Sequence, residues 1–107
     1  MKRGDVVIVA LQGNVGKPRP AVIIQTDMSE TETVVVLLIS STLIDATHLR
    51  ADVPPSPRNG LRVPSQIMIE KVYAVHRSKI GQVIGTLEED ILLSATRSLA
   101  VLIGLAD

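Results

Sequence analysis

The stretch Val34-Val35-Val36-Leu37-Leu38-Ile39-Ser40-Ser41-Thr42 decides the fold class. Its aliphatic residues, most of them β-branched, favour a strand, and the lack of polar alternation indicates burial on both faces. We therefore predict a central strand of a sheet. Hydroxyl side chains follow directly, so the strand is expected to end with Ser40, Ser41 and Thr42 at the edge of a buried element.

Shorter apolar runs on either side predict further strands. These runs are Val6–Leu11, Ala21–Gln25, Ile67–Val75 and Gln82–Gly85. A helix should follow, because Thr86 and Glu89 have the spacing of a capping box and apolar residues recur at helical spacing from Leu92 to Leu102. The predicted fold is mainly β with a C-terminal helix, a small barrel or barrel-like sheet formed by one domain over residues 1–107.

Two segments rich in turn-forming residues interrupt this pattern. Gln12–Pro20 contains two glycines and two prolines, which predicts a loop in which Arg19 is held between Pro18 and Pro20. Residues 43–62 predict an irregular, partly extended region, and within it Asn59-Gly60 suits a tight hairpin turn.

The composition limits the classes of protein that the chain can belong to. Its 107 residues suffice for one domain, and it has one aromatic residue and no cysteine. The core must therefore be aliphatic, and disulfides, thiolate metal sites and cysteine nucleophiles are excluded. The N-terminus lacks a secretory pattern, and no apolar run approaches the roughly 20 residues of a membrane span, so a cytoplasmic location without a membrane is expected.

The charges are unevenly distributed along a chain whose formal net charge is zero. Residues 1–26 hold four bases against one acid, and residues 50–80 hold six bases against two acids. Residues 27–49 hold four acids and no base, and residues 81–107 hold four acids against one base. If the two basic segments fold together, they form a positive face on the protein. In so small a chain, the net charges of separate segments are equally consistent with no such face.

Few residues remain as candidates for chemistry. The two histidines, His48 and His76, are expected at the surface, the acids do not cluster at metal-ligand spacing, and no phosphate-binding glycine loop or nucleophile elbow is present. Arg19 in its rigid loop is suited to an anion, since a guanidinium matches phosphate oxygens, or else to structural bonds with loop carbonyls. The Ser40/Ser41 pair is either part of such a site or a simple strand cap.

The order of motifs along the chain resembles the MazF/PemK/Kid toxins. Those proteins begin with R-G-[DE], continue to a loop ending in R-P, and then have an apolar strand and a polar turn, as Arg3–Val7 and Gly16–Asp27 do here. Val36–Ser41 is similar to their strand that ends in a hydroxyl residue, and Leu61–Val72 to their L-x-x-x-S-x-x-x-x-[DE]-Q-[IV] block. The resemblance covers essentially the whole chain, including the C-terminal helix.

The resemblance implies an SH3-like barrel of the CcdB/MazF type that works as a homodimer. It implies the toxin of a type II toxin–antitoxin system, neutralised by a cognate antitoxin protein. The implied activity is a sequence-selective endoribonuclease that needs no metal or cofactor and cleaves single-stranded mRNA. The 2′-hydroxyl of the RNA attacks the adjacent phosphate, leaving a 2′,3′-cyclic phosphate and a 5′-hydroxyl end.

The same resemblance assigns roles to particular residues. Arg19 matches the loop arginine that stabilises the phosphorane charge, Ser40 matches the hydroxyl that contacts the scissile phosphate, and Glu70 matches an acidic position that acts as a base or orients one. The predicted RNA-binding residues are Lys17, Ser41, Arg58 and Arg62, which would hold the flanking backbone.

Three positions depart from the family pattern. Val7 and Ile8 stand in place of aromatic residues, Met68 in place of a second arginine of some members, and Lys71 in place of a usual glutamine. The last two leave the proton-transfer group open. Two alternatives therefore stand beside the ribonuclease: a CcdB-like poison of DNA gyrase and a non-catalytic interaction module on the same barrel. Arg19 and Ser40 favour the ribonuclease, because a gyrase-binding protein needs neither.

Overall fold

The computed structural model describes residues 1–11, 17–26 and 30–107. In this part of the chain the strands are β1 (Asp5–Val9), β2 (Arg19–Ile23), β3 (Thr33–Ser40), β4 (Arg50–Val53), β5 (Ser65–His76) and β6 (Ile80–Thr86), and the helix is α1 (Glu89–Leu102). A short 3₁₀ turn at Arg77–Lys79 joins β5 to β6. The predicted mainly β fold with a C-terminal helix is confirmed.

The strands form one antiparallel sheet in the order β4-β5-β3-β2-β1-β6. β3 lies between β2 and β5, which confirms the prediction of a central strand. The sheet is barrel-like but not closed, since its two edge strands, β4 and β6, are not paired with each other. The loop that follows β4 comes back to the β6 edge, where Thr86 N donates to Arg58 O at 2.8 Å.

Apolar side chains on the two faces of the sheet form two buried clusters. The first cluster includes Leu37 and Ile39 and packs against Ala95 of α1. The second cluster includes Val36 and Leu38 on the opposite face. The continuous apolar run of β3 thus supplies both clusters, because successive side chains of a strand point to opposite faces. Each fully buried aliphatic side chain of this kind stabilises the fold by roughly 1.5–3 kcal/mol.

The start of the helix differs from the predicted capping box. Thr86 ends β6, and α1 begins at Glu89 with Glu88 as its N-cap residue and no side-chain cap bond. The chain cannot turn at Thr86 because the next residue, Leu87, is buried and its N–H donates to Gly4 O at 2.8 Å. The Glu88 carboxylate instead bonds to the loop before β5, where it accepts from Ser56 Oγ at 2.7 Å.

The region 43–62 contains two features that the sequence did not predict. β4 forms at Arg50–Val53, and Asn59-Gly60 is a turn within the long β4–β5 loop rather than a tight hairpin between strands. The Asn59 side chain is fully buried: its Oδ1 accepts from Ser56 N and Leu61 N, and its Nδ2 donates to Pro54 O and Glu88 Oε1. Gly60 has a φ of 73°, which a side chain would disfavour.

Two predicted connections fall partly outside the described residues. They are the Gln12–Pro20 loop, of which residues 12–16 are not described, and the polar turn after β2, of which residues 27–29 are not described. Arg19 itself was expected in a loop, but it is the first residue of β2 and pairs with Val9. Within the described ranges, no helix is long and apolar enough to cross a membrane.

Candidate functional site

A cleft of about 820 Å³ opens where β2 begins and β3 ends. We call it the basic cleft. Five of the residues predicted from the sequence lie in its lining: Lys17, Arg19, Ser40, Ser41 and Arg62. The other side chains that border it are Ile8, Pro18, Pro20, Ile39, Thr42, Leu61, Val63, Ser65, Gln82, Val83 and Ile84.

The strand register explains why Arg19 and Ser40 meet. β2 and β3 pair through Ala21 with Leu38, and this antiparallel register, extended by two residues, aligns Arg19 with Ser40. The pairing stops before Pro20, which has no N–H to donate to a ladder. The ladder between the two strands ends at this point, and Arg19 and Ser40 both lie in the lining of the cleft.

The basic cleft carries uncompensated positive charge. Among the described residues its lining includes Lys17, Arg19 and Arg62 and no Asp or Glu. In the same part of the chain the Arg19 side chain makes no hydrogen bond or ion pair, and its Nε is buried without a partner. A buried donor of an ionised group that lacks a partner is costly, so the cleft is suited to an anion that fits a planar guanidinium, such as a phosphate.

The end of β3 brings three hydroxyl groups to the same cleft. Ser40 is partly buried, and its Oγ accepts a hydrogen bond from Thr42 N at 3.0 Å. An oxygen that accepts from a backbone amide retains its own O–H for donation to a ligand. Ser41 and Thr42 are exposed, and Thr42 was noted in the sequence only as the end of a hydroxyl run. The local bond within Ser40–Thr42 serves as a strand cap, and the role of the Ser40/Ser41 pair in an anion site stays a prediction.

Two of the predicted site residues do not line the basic cleft. Glu70 lies exposed on β5, at the point where this strand continues past β4. Arg58 lies in the β4–β5 loop, where its Nη2 donates to Leu87 O at 3.4 Å. Of the three predicted catalytic residues, Arg19 and Ser40 therefore lie in the basic cleft and Glu70 lies outside its lining.

The structure adds Gln82 to the candidate residues. Its exposed side chain lies on β6 in the lining of the cleft, beside the apolar side chains of Val83 and Ile84. An isolated glutamine in a short strand has no sequence signal, and only the pairing of β6 with β1 brings it to this place.

One carboxylate next to the loop that carries Arg62 has a shifted pKa. Burial raises the pKa of Glu88, but hydrogen bonds from Ser56 and Asn59 and the positive charge of Arg58 outweigh this effect, so that the pKa lies below its usual value of 4.5. Glu88 therefore stays ionised at neutral pH and joins the start of α1 to the loop that forms one wall of the cleft.

Comparison with known proteins identifies the family. Residues 2–103 match the PemK-like, MazF-like toxins of type II toxin–antitoxin systems. The chain is 39% identical over 108 residues to a probable endoribonuclease MazF of Mycolicibacterium smegmatis, and the match covers 99% of each chain. The chain therefore belongs to the PemK-like, MazF-like toxin family, and the predicted resemblance is confirmed.

Solved structures share the same fold. A mycobacterial endoribonuclease in complex with its cognate antitoxin has a TM-score of 0.82 and 17% identity, covering 100% of this chain and 98% of that one. The Mycobacterium tuberculosis toxin MazF-mt6 has a TM-score of 0.81 and 20% identity, covering 96% and 99% of the two chains. MazF of Deinococcus radiodurans has a TM-score of 0.82 and 15% identity, covering 97% and 96%. At these identities the likeness concerns the fold.

Proposed function

We propose that this toxin is an endoribonuclease that cleaves single-stranded mRNA in the cytoplasm, where that substrate is found, without a metal ion. The observation that supports the proposal most directly is that the unpaired Arg19 side chain and Ser40 line the same cleft, whose described lining holds no acid. An endoribonuclease is also the class named for the 39% identical mycobacterial relative. A gyrase poison or a non-catalytic module requires neither of these groups.

The proposed reaction uses the RNA as its own nucleophile. The 2′-hydroxyl loses its proton and attacks the adjacent phosphorus, the bond from phosphorus to O5′ breaks, and O5′ takes up a proton. The products are a 2′,3′-cyclic phosphate and a 5′-hydroxyl. Negative charge grows on the non-bridging oxygens in the transition state, where a fixed cation and hydrogen-bond donors stabilise it more strongly than in the ground state.

The residues of the basic cleft have different roles in the proposed reaction. Arg19 donates to the non-bridging oxygens, and the Ser40 hydroxyl donates to the same phosphate or to its neighbour. Lys17, Ser41 and Arg62 hold the backbone on either side, as a positive groove holds single-stranded RNA. Glu70 and Arg58 lie outside the lining of the cleft. The role of Glu70 as a base or orienting residue and the role of Arg58 as an RNA contact therefore remain predictions from the sequence.

The proposal includes two protein partners. We propose that the toxin acts as a homodimer and that an antitoxin protein neutralises it. The solved structure of a mycobacterial relative in complex with its cognate antitoxin supports the second partner. Large apolar side chains that stay exposed near the end of α1 support protein partners in general, among them Val101 at 52% and Ile103 at 65% exposure.

Replacement of the arginine tests the proposal. We expect Arg19→Ala to lower the cleavage rate of a long single-stranded RNA by about 1,000-fold, since an oxyanion-stabilising donor contributes up to this factor. Thermal unfolding should change little, because the side chain makes no bond in the described structure. Arg97→Ala is the matched control, since Arg97 is exposed on α1 and lies outside the lining of the cleft. Equal cleavage by the Arg19 variant and the wild type would remove Arg19 from the mechanism.

A further inference from the structure

We propose that Gln66 is a positioning residue that sets the orientation of the Ser40 hydroxyl through the segment that follows β3. The inference rests on the proposed ribonuclease function of the basic cleft. Gln66 does not line the cleft and touches no substrate in the proposal.

Gln66 lies in a row of polar residues that crosses the sheet. On β5 it is the register partner of Ser40 on one side and of Asp52 on the other. Arg19 aligns with Ser40 by the extended register of β2 and β3. The row therefore runs from Arg19 through Ser40 and Gln66 to Asp52, and directly opposed residues of neighbouring strands lie on the same face.

The Gln66 amide is buried and fully bonded. Its side chain is only 6% exposed, its Nε2 donates to Asp52 Oδ1 at 2.9 Å and to Ile44 O at 3.0 Å, and its Oε1 accepts from Ile44 N at 3.0 Å. A carboxylate accepts only, so Asp52 fixes which end of the amide is the nitrogen. Gln66 thus holds both backbone groups of Ile44.

The held residue is connected to the reactive hydroxyl. Ile44 follows Thr42 by two residues, and Arg50 Nη1 donates to Thr42 O at 3.3 Å and to Gln66 Oε1 at 3.5 Å. Thr42 N in turn donates to Ser40 Oγ at 3.0 Å. Because Thr42 N is the donor that orients Ser40 Oγ, a shift of the segment from Thr42 to Ile44 reorients the hydroxyl that the proposed reaction uses.

Glutamine is the side chain that fits these requirements. One neutral side chain beside the Asp52 carboxylate must supply two hydrogen-bond donors, for Asp52 Oδ1 and Ile44 O, and one acceptor, for Ile44 N. A leucine supplies none of them and leaves the backbone N–H and C=O of Ile44 without the partners that Gln66 provides. A glutamate keeps the acceptor but, when ionised, loses both donors and opposes a like charge.

The first experiment compares two glutamines. Gln66→Leu should lower kcat for RNA cleavage at least tenfold and change KM less than threefold, since the cations that bind the backbone stay in place. The matched control is Gln25→Leu. The Gln25 side chain also bonds in two directions, since its Nε2 donates to Thr31 Oγ1 before β3 and its Oε1 accepts from Val35 N of β3, but it lies outside the lining of the basic cleft. Both variants should lose stability, and the control should keep its kcat below its melting temperature.

The second experiment uses the charge of a near-isosteric variant. Ionisable groups that face this position are Asp52 and Arg50 of β4 and Asp45 of the preceding segment, which border one small cavity with Gln66. The ratio of the Gln66→Glu rate to the wild-type rate should rise at least fivefold as the pH is lowered from 8 to 6, because the protonated carboxyl again offers a donor. For Gln66→Leu the same ratio should stay constant, and a purely structural role would give constant ratios for both.

The outcomes separate the inference from the proposed function. If the wild type cleaves RNA and folded Gln66→Leu keeps the wild-type kcat, the positioning role is overturned and the ribonuclease stands. A drop in kcat that is equal for Gln66→Leu and Gln25→Leu would also overturn it, because general destabilisation would then explain both. A wild type that cleaves no RNA would overturn the proposed function itself, and with it the positioning role.

Discussion

The sequence identified Arg19 as a candidate site residue but did not predict the secondary structure in which it lies. Its position between Pro18 and Pro20 predicted a loop in which Arg19 binds either an anion or the loop carbonyls, and the structure has it as the first residue of β2. Pro20 pairs with Ile8 on one side and ends the pairing with β3 on the other. The proline therefore ends the ladder with β3, whereas Arg19 stays in a strand through its pairing with β1, a consequence of strand order that local propensity does not contain.

Ser40 offers a prediction at the same scale. Ser40→Ala removes the proposed donor to the phosphate and should lower the single-turnover cleavage rate about 100-fold. Ser40→Thr keeps the hydroxyl and should retain most of the activity. Ser94→Ala is the control, because Ser94 is exposed on α1 and lies outside the lining of the basic cleft. A larger loss for Ser41→Ala than for Ser40→Ala would exchange the roles of the two hydroxyls.

At the scale of elements, the long apolar strands were predictable and the short polar strand was not. The run Val34–Ile39 has no interpretation other than a buried element, whereas Arg50-Ala51-Asp52-Val53 has four residues in a proline-rich region and becomes β4 only because β5 pairs with it. The start of α1 differs from the predicted start for a similar reason. Burial of Leu87 against the core overrode the local capping signal at Thr86.

The candidate site was predictable in part for the same physical reason. Lys17, Arg19 and Ser40 carry signals in the sequence, a basic and proline-flanked segment and a hydroxyl at a strand end, and the structure brings them together. Gln82 and Gln66 carry none, because a glutamine acquires a role only from what the sheet places beside it. Glu70 was predicted from its match to an acidic position of the family and Arg58 from its charge alone, and neither residue lies in the cleft lining.

Glu88 gives a pH prediction for the junction of α1 with the β4–β5 loop. The folded-state pKa of Glu88 lies below the usual 4.5, so the ionised group stabilises the fold above that pH and its contribution is lost as the pH falls below it. The free energy of unfolding in urea should therefore fall more steeply for the wild type than for Glu88→Gln between about pH 5 and pH 3.

A neighbouring acid serves as the control for this titration. Glu89→Gln removes an exposed carboxylate on the first residue of α1, which makes no side-chain hydrogen bond in the described structure. The free energy of unfolding of the Glu89→Gln variant should depend on pH as that of the wild type does. Parallel curves for Glu88→Gln and the wild type would mean that the bonds from Ser56 and Asn59 do not favour the ionised form.

For the whole molecule, the distribution of charge matters more than its sum. The formal net charge is zero, yet the described lining of the basic cleft holds Lys17, Arg19 and Arg62 without an acid. Lys17 and Arg19 of segment 1–26 and Arg62 of segment 50–80 lie in this cleft, whereas the other bases of both segments lie outside its described lining. The cleft, not the protein as a whole, is therefore the expected site for a polyanion.

The salt dependence of RNA binding measures this directly. A single-stranded RNA with 2′-O-methyl groups cannot be cleaved by the proposed route, so its affinity is measurable. With three phosphate contacts the slope of log K against log salt should be about −2, and Lys17→Ala combined with Arg62→Ala should reduce it to about −0.7. Lys79→Ala with Arg97→Ala removes two exposed cations outside the cleft. An equal change of slope in this control would show that RNA does not bind preferentially in the cleft.

The central claim is that this toxin cuts RNA by attack of the RNA's own 2′-hydroxyl, with Arg19 and Ser40 at the phosphate. The most direct measurement is incubation of the purified protein with a long single-stranded RNA in excess EDTA, followed by chemical mapping of the new ends. The account predicts discrete cuts that carry 2′,3′-cyclic phosphates and 5′-hydroxyls. Intact RNA, or cuts that carry 5′-phosphates, would contradict it.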